Sequence, residues 1–148
     1  MAKKAHLNEL EIIKRLRFEP IRDRKASEDE AKKVLKKYFS AETTDRWSLL
    51  TPTYREHLDQ SPEEWNREVS EHFAESRPKI KIRQISVISG CMVGVVAELR
   101  YFDSGIECFG GRAISLVREK GEYDPDPDSP LRIEGKTVPP YVWGTRKK

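Results

Sequence analysis

The chain has 148 residues, 36% of them charged, with 28 Lys and Arg against 25 Asp and Glu for a formal net charge of +3. That length suits one domain able to bury roughly two-thirds of the surface its unfolded form exposes, and the apolar residues gather between about Val34 and Val117, which predicts one core with two polar ends. No apolar run approaches the ~18 residues of a membrane span, and Leu7 to Leu16 is interrupted by Asn8, Glu9, Glu11 and Lys14, unlike a secretory leader, so a cytoplasmic protein that is not integral to a membrane is expected.

Residues 1–26 form a basic arm, with eight Lys or Arg against four acids. Leu7, Leu10, Ile13 and Leu16 recur at helical spacing until Pro20, which predicts an amphipathic helix that docks on something. Ser27-Glu28-Asp29-Glu30 places a hydroxyl three residues before a glutamate, the reciprocal cap of a helix start. Ala31, Val34, Leu35, Tyr38 and Phe39 then follow the spacing of one buried stripe, with lysines 32, 33, 36 and 37 on the other side. A short helix with Trp47, Leu49 and Leu50 should end before Thr51-Pro52. Ser61-Pro62-Glu63-Glu64 combines a cap, proline at the first helical position and the capping glutamate, and starts a helix whose inner face is Trp65, Val69, His72 and Phe73.

After Pro78 the pattern changes to β-branched runs punctuated by glycine. Residues 80–88, 91–102 and 106–117 read as three strands, with a bulge expected where the alternation slips between Ile82 and Ile85 and another at Gly110-Gly111. Gly110-Gly111-Arg112 lacks the glycine spacing and following helix of a phosphate loop. Tyr123 to Pro130, with three prolines, is a loop; Leu131 to Ile133 suits a short edge strand, and Val138 to Trp143 an extended aromatic tail. The predicted architecture is therefore α+β, N-terminal helices packed on a curved antiparallel sheet, with a domain over 27–134 between the arm and a tail over 135–148.

If Asp103-Ser104-Gly105 is a three-residue turn, facing strand residues sum to 208, which sets Cys91 opposite Val117 and Cys108 opposite Arg100. The two cysteines then cannot pair and act as small apolar residues of a reducing compartment. The same register puts Val93, Val95, Ala97 and Leu99 with Phe109, Ala113 and Val117 on the core face. It leaves Met92, Val96, Phe102, Ile106, Ile114 and Leu116 on the other, more apolar surface than water tolerates without a cover. Two covers fit: a partner, through a homodimer or docking on a larger assembly, or the chain's own arms, with Tyr141 and Trp143 as anchors in the tail.

The element order, with Leu49-Leu50-Thr51-Pro52-Thr53-Tyr54-Arg55 between the second and third helices, resembles the nuclear-transport-factor-2-like superfamily over residues 27–123. The resemblance implies a sheet curled around the long helix into a cone with an apolar pocket, in a group that includes isomerases, dehydratases, polyketide cyclases and proteins without activity. Its isomerases use an aspartate base with a tyrosine and a second acid as hydrogen-bond donors, and Tyr38, Asp45 and Tyr54 are the nearest residue types here. His6, His57 and His72 have no metal-binding spacing. His72, on an inner helix face, is the better-placed general base, so a pocket enzyme acting without cofactor on a small apolar molecule would rely on His72, Tyr38 and Asp45. The expectation is a non-catalytic interaction or accessory subunit first, that enzyme second, and a weak nucleic-acid-binding accessory protein third, since basic clusters at both ends meet only a modest net charge and no nucleic-acid motif.

Overall fold

The structure, a computed structural model, describes residues 7–134. Asn8 opens helix α1 (Glu9–Phe18), its side chain accepting from the Glu11 amide at 2.9 Å, and Arg15 and Arg17 in the last turn complement the negative end of the helix dipole. Helix α2 (Arg24–Tyr38) starts earlier than the Ser27 motif predicts. Asp23 takes the capping role by accepting from the Ala26 amide at 3.0 Å, and no helix breaker separates it from Ser27. Ser27 and Glu30 are thereby released for tertiary contacts. A single 3-10 turn (Trp47–Leu49) leads to the short helix α3 (Pro52–Glu56), capped by Thr51. Helix α4 (Pro62–Ser76) has the expected reciprocal cap between Ser61 and Glu64 and ends on Arg77 in the left-handed region (φ 45°), ahead of a proline that cannot extend it.

The helices precede a curved, unclosed antiparallel sheet, the predicted α+β arrangement. Strands β1 (Lys79–Ser89), β2 (Met92–Asp103) and β3 (Ile106–Gly121) form a meander; the two-residue strand β4 (Asp124–Pro125) and β5 (Leu131–Glu134) both pair with β3. The register slips between Ile82 and Gln84, where the broken alternation predicts a bulge. Gly110 and Gly111 do not bulge: they stand opposite Leu99 and Glu98 in an uninterrupted ladder.

The β2–β3 register differs from expectation by one residue. Ser104 (φ 55°) and Gly105 (φ 81°) both adopt the left-handed conformation, as a two-residue hairpin turn requires, so Asp103 pairs with Ile106 and every facing pair sums to 209. A one-residue slip moves each β3 side chain to the opposite face. Ile114 and Leu116, expected outside, lie opposite Val95 and Val93 in the core at 2% and 0% exposure. Ile106 has the same phase as they do, although it sits beyond the core at the hairpin tip and is exposed. Phe109, Ala113 and Val117 take the outer phase instead, opposite Arg100, Val96 and Met92.

The core lies between the helices and the inner sheet face. Ala31, Leu35 and Tyr38 of α2 and Trp65, Val69 and Phe73 of α4 pack with the inward residues of β2 and β3. An ion pair fixes α2 to the far strands: Glu30 meets Arg118 at 2.7 Å and also accepts from the Leu131 amide, while Arg118 donates to the Ser27 hydroxyl and the Ser129 carbonyl. The α1–α2 link seats on the β1–β2 turn, where the Gly90 amide donates to the Glu19 carbonyl at 2.7 Å and the Ser89 hydroxyl to that of Leu16. Among the described residues no helix is long and apolar enough to cross a membrane.

Candidate functional site

The three residues singled out for catalysis are not brought together. Tyr38 is fully buried, its ring edge-on to Phe39 at 5.1 Å and to Phe73 at 5.7 Å. Asp45 is exposed ahead of the 3-10 turn, where it accepts from the Ser48 amide and from the Asn66 side-chain amide at 3.1 Å, a local capping role. His72 lies half-buried near the end of α4 and, with Glu75, Phe102 and Asp103, lines a different surface hollow beside the β2–β3 tip. Burial holds its pKa below the usual histidine value, against the raising influence of Glu75 and Asp103. Tyr54 is buried in the core, and His57 is exposed, its Nδ1 2.9 Å from the Thr53 carbonyl. Among the described residues no three His, Cys, Asp or Glu side chains converge as metal ligands would. Cys91 and Cys108 are both free thiols. Burial pushes Cys91 up to about 11, far from the range of a nucleophilic thiolate.

Two surfaces carry more than local structure. The first is the outer face of the β2–β3 ladder, where Val96 is 49% exposed and Phe109 62% exposed. Charges of both signs frame them: Arg83 pairs with Glu98 at 3.1 Å and Arg100 with Glu107 at 2.9 Å, and the Arg100 guanidinium also lies 5.3 Å from the centre of the Phe109 ring. Met92 and Phe102, assigned to this face from the sequence, are half-buried, Phe102 beneath the Arg77 guanidinium at 4.4 Å. Near Met92 the chain's own α1 link occupies the turn, and Val117 is buried. Tyr141 and Trp143 lie outside the described residues. Phe109 is the residue that sequence reasoning missed, and the Ser104-Gly105 pair, read as a two-residue turn, carried the signal.

The second surface is a cleft of about 550 Å³ between the segment after α2 and the C-terminal half of α4. Arg46, 1% exposed, lines it. Its guanidinium donates to the Tyr38 carbonyl at 2.6 Å, the Ser40 carbonyl at 2.7 Å and the Ser70 hydroxyl at 3.3 Å, and stands over the Phe73 ring at 4.2 Å. Arg46 thus closes the C-terminal end of α2, where unpaired carbonyls and the helix dipole attract a cation; burial lowers its pKa from the ordinary arginine value. No sequence motif marks Arg46, because its partners come from α2 and α4 and meet only in the fold. No protein-family model matches the chain, and no curated protein matches it in sequence.

Proposed function

We propose that this chain is an interaction domain of nuclear-transport-factor-2-like form, acting in the cytoplasm without catalysis, and that its partner is a second copy of itself held against the outer β2–β3 face. The observation that carries this reading is the exposed pair Val96 and Phe109 set among charges of both signs. A two-fold interface places one patch against itself, so it must be self-complementary. A face that offers Arg83 and Arg100 beside Glu98 and Glu107 meets that condition, with the Arg83–Glu98 pair seated between the rows of Val96 and Phe109.

Light scattering on the purified protein tests it. The expected molar mass is that of a dimer, falling to the monomer in Val96→Glu and in Phe109→Glu with the circular dichroism spectrum preserved, because both side chains are exposed in the single chain. A monomer for the wild type at high micromolar concentration, or a dimer untouched by both substitutions, overturns the reading.

A further inference from the structure

We infer that the cleft between α2 and α4 binds a small organic anion, a carboxylate carried on a compact apolar body. The lining divides by chemistry. Phe39, Phe73, Ala74 and Pro78 supply apolar walls. Arg46, Arg77 and Lys79 supply three cations, and among the described residues no acidic side chain lines the cleft. Among the described residues none of the three cations has a carboxylate within ion-pair distance. Arg118, which is partly buried, does have such a partner in Glu30. Positive potential in a concave, low-dielectric setting is concentrated, and a ligand of opposite charge is what it selects.

The local donors agree. A guanidinium has five N–H donors, and three of those of Arg46 are spent on Tyr38, Ser40 and Ser70. The Ser70 hydroxyl accepts from Arg46, which leaves its own hydrogen for a ligand oxygen. Arg77 and Lys79 are exposed at the edge of the cleft, which they share with the neighbouring hollow of Arg100, Phe102 and Glu107, so their charge acts on a carboxylate in the cleft without the desolvation that burying them would demand. The volume suits a molecule of one or two rings. Of the nearest acids, Glu75 lines the hollow beside the β2–β3 tip, and Glu107, which lines the neighbouring hollow with Arg77 and Lys79, is paired with Arg100 at 2.9 Å.

Calorimetric titration with 2-naphthoate, and with its neutral counterpart 2-naphthamide, tests the assignment. The acid should bind saturably at one site per chain and about tenfold more tightly than the amide, the difference expected of a charge-assisted hydrogen bond. The double substitution Arg77→Gln, Lys79→Gln should weaken the acid by about tenfold and leave the amide unchanged. Ala74→Trp, which fills the cleft from an exposed helix position, should abolish both while the melting temperature holds. Equal affinity for acid and amide, binding that survives Ala74→Trp, or no saturable binding of the acid overturns the proposal.

Discussion

Glu119 shows how one buried charge ties local structure to pH. It is 4% exposed, and its carboxylate accepts from the Thr53 amide at 2.6 Å and the Thr53 hydroxyl at 2.9 Å, which holds the first turn of α3 against β3. Burial raises its pKa above the usual carboxylate range, more than those two bonds lower it. A carboxyl whose folded pKa is raised binds its proton more tightly when folded, so its charged form costs stability at neutral pH and that cost is relieved as pH falls toward the ordinary range. Glu119→Gln should therefore compare best with the wild type at pH 7.5 and lose ground by pH 5. Urea midpoints at the two values measure this, and a difference that does not change with pH contradicts it. His72 works in the opposite direction, since its depressed pKa means that stability present above its unfolded value is lost as the pH falls below it; comparing variant with wild type removes that shared contribution.

Helix α1 buries none of its residues, and Leu10 and Phe18 are largely exposed. It is held by polar contacts: the Glu19 carbonyl receives the Gly90 amide, and the Arg15 guanidinium donates to the Pro125 carbonyl at 3.2 Å. Gly90 permits this close approach, since a methyl group there would collide with the backbone carbonyl of Pro20 and crowd the Glu19 side chain. Gly90→Ala should cost about 1–3 kcal/mol if the whole fold absorbs the overlap, or free α1 alone. Hydrogen exchange separates the two: the expected outcome is faster exchange of the Gly90 amide and of α1, with the β2–β3 ladder still protected. Unchanged exchange in α1 would show that the link yields without consequence.

At the scale of the whole molecule, the outer face and the α2–α4 cleft offer different chemistry. The face mixes charges of both signs with exposed apolar residues, whereas the cleft gathers one sign beside apolar walls. Self-association through the face should respond to charge placement. Glu98→Arg sets a second cation beside Arg83 in each copy, so dimerisation should weaken by about tenfold at low salt and recover in part at 0.5 M salt, where exposed charges are screened over ~4 Å. Sedimentation velocity reads both, and an association indifferent to this substitution places the contact elsewhere.

Helix order, the Ser61 capping box, the change of period at Pro78 and the bulge after Ile82 were all legible in the sequence, because caps, periodicity and proline act over a few residues. Short-range signals also misled where two local solutions competed: Asp23 took the cap from Ser27, and a two-residue turn displaced a three-residue one. The second substitution reversed the faces of Ile114, Leu116 and Phe109, since side chains on a strand alternate and a slip of one position exchanges inside for outside. Arg46 and the cleft belong wholly to the tertiary level. A cation that caps α2 and stacks on a ring of α4 depends on three segments meeting at distances of a few ångströms, and spacing along one chain does not encode that meeting. The sequence determined which elements form and in what order; the turn geometry and the packing of α2 against α4 decided which side chains face outward and where charge remains unpaired.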